Sequence, residues 1–140
     1  MAAELVKQGY LPRAIDLYRG KVATDPGQAR NLMGSLNYAA VAKTTGSGLR
    51  RLKRDDMAKG KAPATGWCFG CGWSLNASLA ELVNTTIVYY GNVKKSAGDL
   101  NPLYGPILVH FAECDKWSDQ DLVSGSKAAM EKTVTPVTSH

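Results

Sequence analysis

The chain has 140 residues, 44% hydrophobic and 21% charged, with 17 Lys and Arg against 12 Asp and Glu for a net charge of +5. That length supports one domain with a real core, and the balance of apolar and charged residues excludes wholesale disorder. The opening "MAAELVKQGYLPR" has no apolar run of the kind a secretory signal carries, so none is expected.

In chain order, Pro12 suits the first turn of a helix, and Ile15, Tyr18 and Val22 follow at helical spacing. The pattern stops at "TDPG", where Asp25 is a good N-cap and Pro26 a good first helical residue. A second helix is expected over residues 26–43, with Leu32, Leu36 and Ala40 on one stripe and Met33 beside it. "TTGSG" breaks it, "LRRLKRDDMAKG" reads as one or two helical turns or a segment that orders on binding, and "KAPATG" reads as a linker. Ser74 is expected to cap a helix over residues 75–90, whose stripe is Leu75, Leu79, Leu82, Val83, Thr86, Ile87 and Tyr90.

"NVKKSAGDLNP" then reads as a loop. Asn101 and Pro102 are expected to open a helix to about residue 116, with Leu103, Ile107, Leu108, Phe111 and Cys114 inward. Ser118 and Asp121 resemble a capping box before a last helix over residues 119–132, and "TVTPVTSH" reads as an extended, loose tail. With no alternating run long enough for a strand, the expected class is all-α: an extended basic N-terminal helical arm over residues 1–62, then a small helical bundle over residues 63–140.

Charge supports that division. Residues 1–62 hold 12 Lys and Arg against 5 Asp and Glu, whereas residues 63–140 hold 5 against 7. The candidate phosphate contacts are Lys7, Arg13, Arg19, Lys21, Arg30, Lys43, Arg50, Arg51, Lys53, Arg54, Lys59 and Lys61. Cations spread along an arm suit tracking a phosphate backbone better than reading bases, so non-specific wrapping of a nucleic-acid backbone is the physical expectation. From Ala64 to Val93 the only charge is Glu81, which raises a membrane span or surface segment over residues 66–90 as the alternative, in an accessory subunit of a membrane complex.

Other constellations point less clearly. "CFGC" puts Cys68 and Cys71 at metal-ligand spacing, and His110 and Cys114 lie four apart, a conceivable Cys₃His zinc set. A single CxxC equally fits small buried cysteines or a disulfide, and the expectation here is structural cysteines, no metal and no cofactor. Trp67 and Trp73, among glycines, are expected to pin a turn onto the bundle. Leu17-Tyr18-Arg19 matches the opening motif of small mitochondrial helical proteins that bind an acyl carrier protein, but Asp25-Pro26 interrupts the long helix those proteins continue. Two histidines, no Gly-rich phosphate loop and no recognised nucleophile motif leave a non-enzyme as the expectation, with Glu81 read as surface-exposed or paired.

The basic N-terminal region, the corner "TDPGQARNLMGSLNYAAVAKTT" and the later "NTTIVYYGNVKK" and "LNPLYGPILVHF" together resemble the major coat proteins of filamentous archaeal viruses, the rudiviruses and lipothrixviruses. That resemblance implies a structural nucleocapsid protein of the virion whose helical arm wraps duplex DNA. It also implies assembly into a helical filament, as a homo-oligomer or paired with a second coat protein, with an envelope membrane as a further candidate partner.

Overall fold

"TIVY" and "ILVH" are runs of β-branched, aliphatic and aromatic side chains, and both form strands. The computed structural model describes residues 1–91, 93–111, 120–131 and 137–139. Three helices come first: α1 (Ala2–Lys7), α2 (Pro26–Gly34) and α3 (Tyr38–Lys53), with a 3₁₀ turn at Asp56–Ala58. Strands and helices then alternate: β1 (Ala64–Trp67), α4 (Phe69–Ala80), β2 (Thr86–Tyr89), α5 (Ala97–Leu100), β3 (Ile107–His110), α6 (Gln120–Glu131) and β4 (Val137–Ser139). The strands form one parallel sheet in the order β1-β2-β3-β4. Parallel neighbours cannot be joined by a tight turn, so each pair is linked by a crossover that contains a helix.

The register assigns the faces. Ala64, Thr86, Ile107 and Val137 lie side by side, as do Gly66, Val88, Val109 and Ser139. Val88, Ile107 and Val109 from this face join Cys71 and Leu75 of α4, Leu100 of α5 and Met130 of α6 in one buried cluster. Each large aliphatic side chain buried there contributes about 1.5–3 kcal/mol. α4 packs across both β1 and β2, and α3 packs along α4. Tyr38 lies 5.0 Å from Trp73 between ring centroids at that contact, and Arg50 of α3 pairs with Glu81 at the end of α4. Glu81 is therefore a paired acid. So α3, from the basic half of the sequence, is packed against a helix of the other half.

The all-α expectation is overturned by this sheet. Its cause is strand length. Four-residue strands buried in a parallel sheet show no long alternation. Thr86 and Ile87 lie four and three residues before Tyr90, and Leu103, Ile107 and Phe111 are four apart, so both sets imitate a helical stripe. The helix expected over residues 75–90 runs instead from Phe69 to Ala80 and gives way to β2; Ser74 sits inside it, its hydroxyl donating to the Cys71 carbonyl at 3.0 Å. The helix expected from residue 102 is replaced over Ile107–His110 by β3, while Cys114 and the Ser118 end of the expected capping box lie outside the described residues. The segment read as a loop holds α5, capped by reciprocal bonds between Ser96 and Asp99. Residues 137–139 of the expected loose tail pair with β3.

Two other expectations hold. Asp25 caps α2, accepting from the Gln28 N–H at 2.9 Å, with Pro26 in the first turn. α6 matches the last expected helix within a residue at each end. The helix expected to follow Pro12 does not form: the Asp16 carboxylate accepts the backbone N–H groups of Tyr18 and Gly20, a local turn that competes with helix hydrogen bonds. The expected helix over residues 26–43 breaks after Gly34, and Asn37 recaps the chain as α3 by accepting from the Ala40 N–H at 2.9 Å. Among the described residues no helix is long and apolar enough to cross a membrane, and residues 66–90 form a strand end, α4 and β2.

Thr86 is fully buried, and its hydroxyl has no hydrogen-bond partner among the described residues. Burying an unpaired hydroxyl costs about 1–3 kcal/mol. Thr86→Val keeps the shape and removes that cost, so it should stabilise the fold by about 1 kcal/mol. Thermal unfolding should show this as a rise in Tm of about 2–5 °C, and a fall would show that the hydroxyl is bonded.

Candidate active site

The segment Gly66-Trp67-Cys68-Phe69-Gly70 joins β1 to α4 with a single residue between them. That residue, Cys68, has φ 51° and ψ −119°. These angles match the first central position of a type II′ turn, where glycine is the usual occupant because a Cβ is strained there. Holding a non-glycine residue in such a region costs about 1–3 kcal/mol. The strain reverses the chain abruptly. The ladder to β2 continues through the Cys68 N–H, which donates to the Tyr89 carbonyl at 3.0 Å, and the helix begins at the next residue.

Glycines make this corner sterically feasible. A Cβ on Gly66 would fall 2.6 Å from both the Gly70 carbonyl carbon and the Ser74 Oγ, so β1 and α4 touch nearly backbone to backbone. On the other side, a Cβ on Gly91, just past β2, would fall 2.6 Å from the Cys71 Sγ. Squeezed between, the Cys71 thiol is buried, and its single S–H is shared between the Gly66 carbonyl at 3.1 Å and the Tyr89 carbonyl at 2.9 Å. Burial pushes this thiol up from its ordinary value, and nearby Cys68 adds to the rise.

Cys68 has the opposite setting. Its thiol is free, the residue is exposed, and its side chain makes no cap hydrogen bond to α4. The Phe69 and Gly70 N–H groups, in the first turn of α4, have no intrahelical acceptor. They leave a partial positive charge where an anion forming beside Cys68 would be stabilised. The C-terminal ends of the strands also carry a row of rings: Trp67 stacks on Tyr89 at 5.4 Å and Tyr89 on His110 at 4.6 Å, in register across β1, β2 and β3.

The twelve basic residues lie elsewhere, all on the chain before β1. Lys7 pairs with Glu4 at 3.0 Å and Arg13 with Asp55 at 3.2 Å, and Arg50 pairs with Glu81. Arg50, Arg51 and Arg54 come together around an open cleft of about 380 Å³ with Ser47 and Asp55. Arg50, Arg51 and Lys53 sit in the last turn of α3, where cations suit the helix dipole. Lys53 is half-buried, and Arg19, Lys21, Arg30, Lys43, Lys59 and Lys61 are exposed. Trp73 is buried between α4 and α3, whereas Trp67 belongs to the ring row. Among the described residues no three potential ligands gather as a metal site, and Cys114 lies outside them.

A parallel sheet whose strand turns sharply into a helix, with an exposed thiol on the turn between flanking glycines, has the geometry of the nucleophile elbow of the α/β hydrolases, here with cysteine in the serine position. The family profile described as "Dienelactone hydrolase family" matches residues 1–139, and the chain belongs to that family. Its fold is similar to the crystal structure of a dienelactone hydrolase-like promiscuous phosphotriesterase from metagenomic libraries, at a TM-score of 0.62 and 15% identity. The match covers 86% of this chain and 52% of that one, so this chain spans about half its length. No curated protein matches.

These findings correct the functional expectations. The chain is not a viral coat protein, a virion component or a subunit of a membrane complex, and its family is enzymatic. The assignment of the twelve cations to duplex DNA rested on the coat-protein resemblance. The sequence expectations passed over Cys68 as a candidate nucleophile. Its signal was present in "GWCFG", a G-x-C-x-G pattern, but the overlapping CxxC spacing drew attention to metals and disulfides instead.

Three substitutions test this corner. Cys68→Gly should be more stable than Cys68→Ala by about 1 kcal/mol, because both lose the thiol and only alanine keeps the backbone strain. Equal stability in urea melts would show an unstrained backbone at residue 68. Gly66→Ala should cost about 1–3 kcal/mol by forcing β1 and α4 apart, and an unchanged melting curve would show that they do not touch there.

Proposed function

We propose that Cys68 is the nucleophile of a hydrolase that cleaves ester or lactone bonds through a thioester intermediate. The observation that carries this reading is the exposed Cys68 thiol held in a strained turn between β1 and α4. Strain without a compensating contact is retained where it positions a reacting group.

The chemistry follows from that placement. The Cys68 sulfur, as thiolate, attacks the substrate carbonyl carbon. Negative charge moves to the carbonyl oxygen, where the Phe69 N–H, from the residue after the nucleophile, supplies one oxyanion donor. The alkoxide leaves or, in a lactone, the ring opens, and water hydrolyses the thioester. Such sites follow the chain order nucleophile, acid, histidine. In this sequence the acids Glu113 and Asp115 follow β3, and β4 ends one residue before His140; all three lie outside the described residues.

p-Nitrophenyl acetate tests the proposal. The protein should release p-nitrophenolate and carry a transient acetyl group, which peptide mapping should place on Cys68. Cys68→Ala should reduce release to the uncatalysed rate, a loss of about 10³-fold or more if the sulfur is the attacking atom. Acetylation of another residue, or unchanged release by Cys68→Ala, would overturn the assignment.

A further inference from the structure

The two cysteines of the elbow differ in a way that hydrolysis does not require. Cys68 is exposed at the N-cap of α4, and Cys71 is buried one turn further on. The Cys71 N–H donates to the Cys68 carbonyl at 3.1 Å, closing a turn between them. Such a turn keeps the two Cα atoms within roughly 7 Å, and disulfides span about 4.4–6.8 Å between Cα atoms. Both thiols are free.

We propose that Cys71 is a resolving thiol for Cys68, so that peroxide converts the pair to a reversible Cys68–Cys71 disulfide. This goes beyond the hydrolytic reading and uses the same sulfur, but needs only the exposed–buried arrangement and not turnover of an ester. In the first step the Cys68 thiolate attacks one peroxide oxygen. An S–O bond forms, the O–O bond breaks, and hydroxide leaves and is protonated to water. In the second step the Cys71 sulfur attacks the Cys68 sulfenic sulfur. The S–S bond forms, the S–O bond breaks, and a second water leaves with the Cys71 proton. Two thiols and one peroxide thus give one disulfide and two waters.

The surroundings favour that order of events. Cys71 is shielded by Gly66, Tyr89 and Gly91, which leaves Cys68 as the sulfur that meets a dissolved oxidant. To close the bond the Cys71 sulfur must swing from the Gly66 and Tyr89 carbonyls, a rotation about one side-chain torsion. The product keeps one sulfur at the surface, where an external dithiol can attack it and restore both thiols. Oxidation then stops hydrolysis without carrying Cys68 to the irreversible sulfinic acid.

The test is hydrogen peroxide at low molar excess on the full chain, followed by tryptic mapping and dimedone trapping. The wild-type protein should lose two hydrogens in a peptide that holds both Cys68 and Cys71, and dithiothreitol should restore them. Cys71→Ser keeps a hydroxyl for the same two carbonyls; it should instead accumulate dimedone-reactive Cys68, with about tenfold more sulfinic acid at equal dose. Wild-type protein that accumulates as much sulfenic and sulfinic Cys68 as the variant overturns the proposal, as does a disulfide from Cys68 to Cys114. The wild-type map decides the matter even if the variant folds poorly. Acetylation of Cys68 by p-nitrophenyl acetate is measured on the same preparation. Protein that acetylates Cys68 but forms no internal disulfide loses this proposal and keeps the hydrolase.

Discussion

The backbone contact between β1 and α4 at Gly66 and Gly70 is the constraint on which the rest depends. Any side chain at Gly66 would drive the helix away from the strand. Because the two elements touch, the chain must reverse within one residue, and that residue must accept a positive φ. Cysteine is a costly choice there, since glycine would be unstrained. The molecule offsets the cost through burial on either side of the turn: Cys71 and Leu75 of α4 are sealed against Val88, Ile107 and Val109 of the sheet. A stable core thus holds an unstable corner, and the corner displays the thiol.

The parallel sheet makes that display useful. In open α/β sheets, ligand sites form beyond the carboxyl ends of the strands. Cys68 follows β1 at that end, and the row of Trp67, Tyr89 and His110 closes the same end of β1, β2 and β3. The N-terminus of α4 adds N–H groups that have no acceptor within the helix. α3 has a supporting role from outside: it packs along α4 through Tyr38 and Trp73 and through the Arg50–Glu81 pair, and its basic last turn faces an arginine-lined cleft away from the elbow.

The sequence showed its helices unevenly and its strands hardly at all. Asp25-Pro26 and the span of α6 were legible because caps and periodicity act locally. The start of α4 was not, since its N-cap is Cys68, whose side chain makes no cap hydrogen bond. β2 and β3 were read as helix because a strand of four residues is too short to show a period in the sequence; only pairing with distant neighbours defines them. The basic cluster at Arg50–Lys61 drew attention because charge is conspicuous in a sequence. Yet Arg50 is bound to an acid on α4, and Arg51 and Lys53 complete a helix end. The candidate site was visible as five residues, "GWCFG", but its meaning depends on a strand before it and a helix after it, and neither carried a local signal.

Differential alkylation of the native protein tests the elbow most directly. Iodoacetamide is added without denaturant, and the modified cysteines are located by mass spectrometry over time. If Cys68 stands exposed on a strained turn above a buried Cys71, Cys68 is carboxamidomethylated first and Cys71 stays protected until the fold is opened by denaturant. Modification of Cys71 as fast as Cys68, or protection of both until unfolding, would contradict the arrangement from which the hydrolase reading was built.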